Sequence, residues 1–64
     1  MARRRTWLDV DGAADWLGVE VRFIRRLVAE RRVVYYKVGR YLRFDADDLD
    51  DFLTASRVDK SEAA

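Results

Sequence analysis

Clustered arginines are the side chains of this sequence with the clearest chemical capacity. Five of them fall within eleven residues: Arg22, Arg25, Arg26, Arg31 and Arg32. A guanidinium group is planar, stays charged at pH 7 and makes bidentate hydrogen bonds with phosphate or with the edge of guanine. Such a cluster is either a solvated helix surface or a ligand site. Only Glu30 offsets the charges, and crowded like charges cost free energy unless a polyanion relieves them. The cluster therefore favours a nucleic-acid ligand.

Two short helical patterns joined by Leu17-Gly18-Val19 position this cluster. The first follows a favourable N-cap residue, Asp9, and its apolar residues are Val10, Ala13, Ala14 and Leu17. The apolar residues of the second are Val21, Ile24, Leu27 and Val28. Arg22, Arg25, Arg26 and Ala29 lie on its other side, with Phe23 at the border. Two helices joined by a glycine-containing turn predict a helix-turn-helix unit, whose second helix enters the major groove of DNA.

Residues 33–44 change to strand-like patterning, with β-branched and aromatic residues around Gly39. We predict a β-hairpin, and the length of its loop decides which side chains share a face. A two-residue loop, 39–40, would separate the side chains at 36 and 38 from those at 42 and 44. A three-residue loop, 39–41, places all four on one buried face, and it is the one we predict. It pairs Val38 with Leu42 and Tyr36 with Phe44.

The predicted hairpin is basic on its outer side. Lys37 and Arg43 point outward together in this register, and Arg40 lies at the tip. An apolar inner face with a basic outer face and tip is typical of a DNA-binding wing. The predicted fold class is therefore α+β, a small winged helix-turn-helix with two helices, a β-hairpin wing and a C-terminal helix.

The last helix is predicted to begin after Asp45, a favourable N-cap residue. Its expected core stripe is Ala46, Leu49, Phe52 and Leu53. Its other positions are acidic: Asp47, Asp48, Asp50 and Asp51. Clustered carboxylates can bind metal ions, but those of one short helix point in several directions, and calcium loops use glycine and a terminal glutamate. We expect a solvated acidic face and no metal site.

Composition excludes several functional classes. The 64 residues include no Cys, His or Pro, so disulfides, thiolate metal sites and the usual general base are absent. We find no nucleophile–base pair or phosphate loop, and expect neither an enzyme nor a cofactor. Hydrophobic residues make up 50% and charged residues 39%, as in a folded soluble domain. Without an apolar run long enough for a membrane helix or a signal peptide, we expect a cytoplasmic protein.

Charge is divided unequally along the chain. Residues 1–44 hold eleven Arg or Lys and five Asp or Glu, whereas residues 45–64 hold two and seven. A basic side of this kind is typical of a nucleic-acid binder. We divide the chain into a basic arm (1–6), a winged-helix domain (7–53) and a helix end or disordered tail (54–64). The arm carries Arg3, Arg4 and Arg5, which are either frayed in solvent or in contact with the DNA backbone or minor groove.

The combined motifs resemble the excisionase-type branch of winged-helix domains related to the MerR regulators. The residues that carry the resemblance are Leu8-Asp9-Val10, Ala13 to Val19, Val38-Gly39-Arg40, Arg43-Phe44, Asp48-Leu49 and Phe52-Leu53. The resemblance implies recognition-helix contacts from Arg22, Phe23 and Arg26, and wing contacts from Arg40 and its neighbours. The chain departs from the family pattern at Glu20, where Ser or Thr is usual, and at Gly12 and Arg31.

Two roles share this fold. A phage excisionase binds DNA in several copies, bends it and directs an integrase toward prophage excision, whereas a small MerR-like transcription regulator only controls a promoter. An activator of the MerR type needs a dimerisation helix and an effector domain, and residues 54–64 are too few for either, so we favour an excisionase. The implied partners are double-stranded DNA and an integrase, and the implied location is the nucleoid of a bacterial host.

The charge division also predicts head-to-tail self-association on DNA. A single recognition helix gives a small interface with DNA, so several copies side by side would bind a site more tightly than one copy. Basic patches of one copy, including Arg31 and Arg32, would meet the acidic helix of the next through Asp47, Asp48, Asp50 and Asp51. The alternative is that the acidic helix only keeps the protein soluble and turned away from phosphate.

Overall fold

Three helices and a three-stranded antiparallel sheet make up residues 5–59, the part of the chain that the computed structural model describes. In chain order they are β1 (Trp7–Leu8), α1 (Val10–Leu17), α2 (Val21–Ala29), β2 (Tyr36–Val38), β3 (Tyr41–Asp45) and α3 (Ala46–Ala55). The strand order is β1-β3-β2, which places β3 in the centre. This is the predicted α+β winged helix-turn-helix, with β1 as an element that the sequence patterns did not indicate.

The core forms where α1, α2 and α3 meet one face of β3. Its buried members are Ala13, Ala14, Ile24, Leu27, Val33, Phe44 and Leu49. Val10, Leu17, Val21 and Val28 pack against it while partly exposed. The apolar faces predicted for the first two helices are therefore confirmed. Burial of these faces holds the helices in place, because helices this short are marginal on their own.

The start of α1 explains the glycine inside it. The Asp9 carboxylate accepts a hydrogen bond from the Gly12 backbone N–H at 2.7 Å, which is the predicted N-cap. A Cβ atom at position 12 would lie 3.2 Å from that carboxylate oxygen and 3.3 Å from Cβ of Leu8. Glycine thus gives the capping side chain and β1 room to approach the helix closely.

Gly18, which ends α1, carries a testable conformational requirement. Its φ of 69° is left-handed, and its backbone N–H donates to the carbonyls of Ala14 and Asp15. No atom lies within 4 Å of a Cβ placed there, so a substitution costs conformational free energy without a clash. We expect Gly18→Ala to lower the free energy of unfolding by about 1–2 kcal/mol, and Gly18→Asn to lower it less. Thermal unfolding followed by circular dichroism tests this, and equal melting temperatures for glycine and alanine would contradict it.

The hairpin register differs from the predicted one. Val38 pairs with Tyr41, Lys37 with Leu42, and Tyr36 with Arg43, so the loop has two residues and our three-residue prediction is wrong. The sheet contributes Leu42 and Phe44 of the central strand and Leu8 of β1 to the core, and none of these residues belongs to β2. The edge strand β2 is exposed throughout, which removes the need for Tyr36 and Val38 to face inward.

Two further predictions are corrected by this geometry. Lys37 and Arg43 do not point outward together: opposite neighbours share a face, so Lys37 lies on the Leu42 side and Arg43 on the Tyr36 side. Leu53 is not a core residue, because it is 44% exposed whereas Leu49 is fully buried. It lies one turn beyond Leu49, past the part of α3 that packs on the core.

Candidate nucleic-acid interface

The exposed side of α2 carries the arginines of the predicted recognition surface. Ile24 and Leu27 are fully buried, which turns the opposite side of the helix to solvent. The side chain of Arg22 is 87% exposed and that of Arg26 is 72% exposed. Arg25 and Phe23 are also exposed. The structure therefore presents all four predicted contact residues of this helix, and their binding role stays a prediction.

Two glutamates at the ends of α2 form ion pairs with Arg22 and Arg26. Glu20 occupies the N-cap position without a side-chain capping bond, and its carboxylate accepts instead from Arg22 Nε at 2.8 Å. At the other end, Glu30 accepts from Arg26 Nε at 3.3 Å and from Arg32 Nη1 at 3.4 Å. Exposed ion pairs of this kind add little stability. They do orient the guanidinium groups, and contact through Nε leaves the terminal Nη groups available for a guanine.

The wing places two of its three basic residues around one aromatic ring. The guanidinium groups of Arg40 and Arg43 lie 5.4 and 5.5 Å from the centre of the Tyr41 ring, within the range of a cation–π contact. Arg43 also donates to the Leu42 carbonyl at 2.8 Å. Arg40, in the hairpin loop, is exposed. Lys37 is exposed as well but lies on the other face of the sheet.

A groove of about 440 Å³ joins the recognition helix to the wing. Arg25 of α2 lines it together with Arg40 and Arg43, and so do two carboxylates at the start of α1, Asp9 and Asp11. A second recess, of about 460 Å³, is lined by Glu20, Arg22, Phe23 and Arg26. Because Arg25 lines the first recess and its neighbours line the second, α2 and the wing present their charges on connected surfaces.

The N-terminal arm is described only from Arg5 onward, and the predicted contacts of Arg3 and Arg4 lie outside the described residues. Arg5 forms an ion pair with Asp45 at 3.6 Å and lies 5.8 Å from the centre of the Trp7 ring. Asp45 is buried and caps α3 by accepting from the Asp47 N–H at 3.0 Å. Arg5 therefore joins the arm to the start of α3 while staying half exposed.

The residues predicted to mediate self-association are distributed over two surfaces. Arg31 has a left-handed φ of 54°, and Arg32 is paired with Glu30. Asp47 and Asp48 lie in the first turn of α3. The Asp50 carboxylate accepts from Trp16 Nε1 at 2.8 Å, which holds the half-exposed Trp16 ring against α3. Asp51 is exposed.

Sequence reasoning missed the outer face of the sheet. Trp7 of β1 packs edge-on against Tyr36 of β2, with ring centres 4.9 Å apart. Val38 and Tyr41 share this face and are 60% and 53% exposed. The sequence signal for this face was that Tyr36 and Val38 alternate on one side of β2. The predicted register assigned that side to the core.

Comparison with known proteins places this geometry in a family. A family model described as a helix-turn-helix domain matches residues 7–57, which include α1, α2, the wing and α3. Neither the curated proteins nor the solved structures gave a match. Among residues 5–59, no helix is long and apolar enough to cross a membrane. The chain belongs to the helix-turn-helix domain family and is a DNA-binding helix-turn-helix protein.

Proposed function

We propose that this protein is a sequence-specific architectural DNA-binding factor of the excisionase type. In this role it binds and bends double-stranded DNA and directs an integrase toward prophage excision, with no catalysis of its own. The observation that supports it best is the groove between α2 and the wing, where Arg25, Arg40 and Arg43 come together. The family that the chain matches includes excisionase-like DNA-binding proteins. The proposed location is the nucleoid of a bacterial host.

In this proposal α2 lies in the major groove. The Nη groups of Arg22 and Arg26 contact O6 and N7 of guanines, and Phe23 packs against a thymine methyl group. Glu20 and Glu30 keep the two arginines in position through Nε. The wing lies over the adjacent backbone, where Arg40 enters the minor groove or meets phosphate. Arg25, Lys37 and Arg43 contact phosphates and fix the orientation of the protein without reading sequence.

Bending follows from the same arrangement. A helix in the major groove and a wing over the next minor groove contact the duplex at two points with a fixed angle between them. The DNA must bend to contact both, and bending costs deformation free energy. Neighbouring copies, with the acidic helix of one against a basic surface of the next, would extend the bend. An integrase that must bridge distant sites benefits from DNA already bent.

A recombination assay with purified components tests the role. The integrase is the one encoded nearest to this protein's gene, and the substrate is a linear DNA carrying its two prophage-end sites. We expect excision only when this protein is added, and inhibition of the reverse, integrative reaction. If the protein binds its site and changes transcription there while both recombination reactions proceed unaltered, the transcription-regulator role is correct instead.

The wing assignment predicts a change in salt dependence. Arg40→Ala removes one contact with phosphate or the minor groove, so affinity falls across many sequences and the slope of log K against log salt decreases by about one. Fluorescence anisotropy with a labelled duplex at several salt concentrations measures this. Arg57→Ala is the matched control, because Arg57 is 75% exposed but lies beyond α3. An unchanged slope with lost sequence preference would mean that Arg40 reads bases.

A further inference from the structure

An exposed apolar surface covers the side of the sheet away from the core. We call the side chains of Trp7, Tyr36, Val38 and Tyr41 the outer sheet face, and each of them is exposed to solvent. Trp7, Tyr36 and Val38 line a shallow recess of about 360 Å³ together with Arg43. Isolated exposed apolar residues are ordinary, but a contiguous cluster of them marks a binding surface.

The solvated charges around the outer sheet face are positive. Three guanidinium groups lie within 6 Å of the centre of one of its rings, and they belong to Arg5, Arg40 and Arg43. Among the described strand residues on this side of the sheet, Asp45 alone is acidic. Asp45 is buried and paired with Arg5, so it presents no free carboxylate to a ligand. The surface therefore suits an anionic ligand.

Aromatic rings and guanidinium groups together form the chemistry that binds unpaired nucleotides. A base stacks on a ring or on a guanidinium plane, and its phosphate pairs with an arginine. Trp7 and Tyr36 meet edge to face, with ring centres 4.9 Å apart and an angle of 89° between their planes. The two rings are thus perpendicular walls of the recess. A planar base that enters the recess can stack on one ring while it contacts the other.

The outer sheet face is continuous with the groove between α2 and the wing. Arg43 lines both the recess and this groove, and Tyr41 lines the groove as well as belonging to the outer sheet face. A DNA strand that leaves the groove therefore reaches the outer sheet face directly. An acidic peptide would match the charge too, but it would compete with DNA for Arg43. Continuity with the groove favours a nucleic-acid ligand.

We infer that the outer sheet face binds unpaired nucleotides of single-stranded DNA. The bases stack on Trp7 and Tyr36, and their phosphates pair with the surrounding arginines. Every base has a π face, so binding of this kind has little sequence preference. The inference extends the proposed duplex binding, which uses α2 and the tip of the wing, and variants of the two surfaces test the two separately.

Single substitutions remove the rings one at a time. Trp7→Ala and Tyr36→Ala each delete a stacking surface, whereas Trp7→Phe keeps a ring at the same position. Trp16→Ala is the matched control, because Trp16 is 45% exposed and Trp7 is 48% exposed, but Trp16 lies on α1 and bonds to Asp50 of α3. Circular dichroism melts compare the stability of each variant with wild type. If loss of Trp7 unpairs β1, Tyr36→Ala on the exposed edge strand still tests the inference.

Two labelled single strands separate stacking from charge. One is oligothymidylate of roughly twelve nucleotides, within the range of site sizes for single-strand binding, and the other has the same length with abasic sites in place of thymidines. In fluorescence anisotropy titrations, we expect wild type and Trp16→Ala to prefer the oligothymidylate. We expect Trp7→Ala and Tyr36→Ala to bind it about 5- to 150-fold more weakly while they bind the abasic strand like wild type. Trp7→Phe is expected to retain most of the preference.

Duplex titrations keep this inference apart from the proposed function. Trp7→Ala is expected to bind duplex DNA like wild type. The Arg22→Ala, Arg26→Ala double variant is expected to lose the specific duplex site but to keep the preference for oligothymidylate over the abasic strand.

Three results would overturn the inference. They are a wild-type protein with no preference between the two single strands, alanine variants with the wild-type preference, and a labelled acidic peptide with a central phenylalanine that binds wild type when oligothymidylate does not. The last result would identify the outer sheet face as a site for a protein partner. None of the three would alter the result of the duplex titrations.

Discussion

Replacing either Arg22 or Arg26 by alanine is expected to weaken binding to the specific DNA site by about 1–3 kcal/mol, which is on the order of 5- to 150-fold. Each loses a bidentate contact with guanine and one positive charge. The two residues are four positions apart on one helix face and 87% and 72% exposed. Their double variant is expected to retain only the affinity that it has for random duplexes.

Lysine variants separate the loss of the bidentate guanine contact from the loss of the positive charge. Arg22→Lys and Arg26→Lys keep the charge but cannot form the same planar bidentate contact. We therefore expect them to keep most affinity for random duplexes while losing preference for the specific site. Anisotropy titrations against both kinds of duplex measure the two effects. Alanine variants with wild-type affinity for the specific site would show that α2 does not read it.

Phe44→Ala is expected to destabilise the domain strongly. Phe44 is fully buried on the central strand and belongs to the core with Ile24, Leu27 and Leu49. Truncating a buried phenylalanine costs about 3–5 kcal/mol. At about 0.05–0.15 kcal/mol per residue a domain of this size has a free energy of unfolding of roughly 3–10 kcal/mol, so about a third to all of its stability is lost.

Tyr41→Ala is the control on the same strand. Tyr41 points to the outer face and is 53% exposed, so we expect a loss below about 1 kcal/mol. Urea unfolding followed by circular dichroism compares the two variants with wild type. A cooperative transition for Phe44→Ala close to the wild-type midpoint would contradict the described core.

The helices could be predicted from the sequence because their signals are local. The apolar residues of α1 and α2 recur at helical spacing, and Asp9 and Asp45 provide the expected caps, with bonds of 2.7 and 3.0 Å to backbone N–H groups. The exposed arginine side of α2 follows directly from the buried position of Ile24 and Leu27. Local rules therefore gave the helical half of the candidate site.

The β-hairpin was predicted from the sequence, but its register and the strand β1 were not, because strand pairing is non-local. A two-residue strand such as β1 has no periodicity to detect, and it is a strand only because Trp7 and Leu8 pair with Asp45 and Phe44. Without that strand, we assigned Tyr36 of β2 to a buried face. Its actual partner is Trp7, which is nearly thirty positions away in sequence.

The glutamates of the site show a similar limit. The proximity of Glu30 to Arg26 follows from their i, i+4 spacing, whereas Glu20 was noted only as a departure from the family pattern. In the structure Glu20 pairs with Arg22 and makes no side-chain capping bond to the backbone. Glu20, which departs from the family pattern, is therefore the ion-pair partner of Arg22 on the recognition helix.

Selection of binding sites from a library of random DNA duplexes tests the central claim most directly. Arg22 and Arg26 are separated by four residues at 1.5 Å each, about 6 Å, which is close to two base-pair steps. The expected result is an enriched motif with guanines about two base pairs apart, next to an A·T-rich stretch under the wing. The Arg22→Ala, Arg26→Ala double variant is expected to lose the guanines from this motif. An unenriched library, or the same motif from wild type and double variant, would contradict the claim that α2 reads DNA.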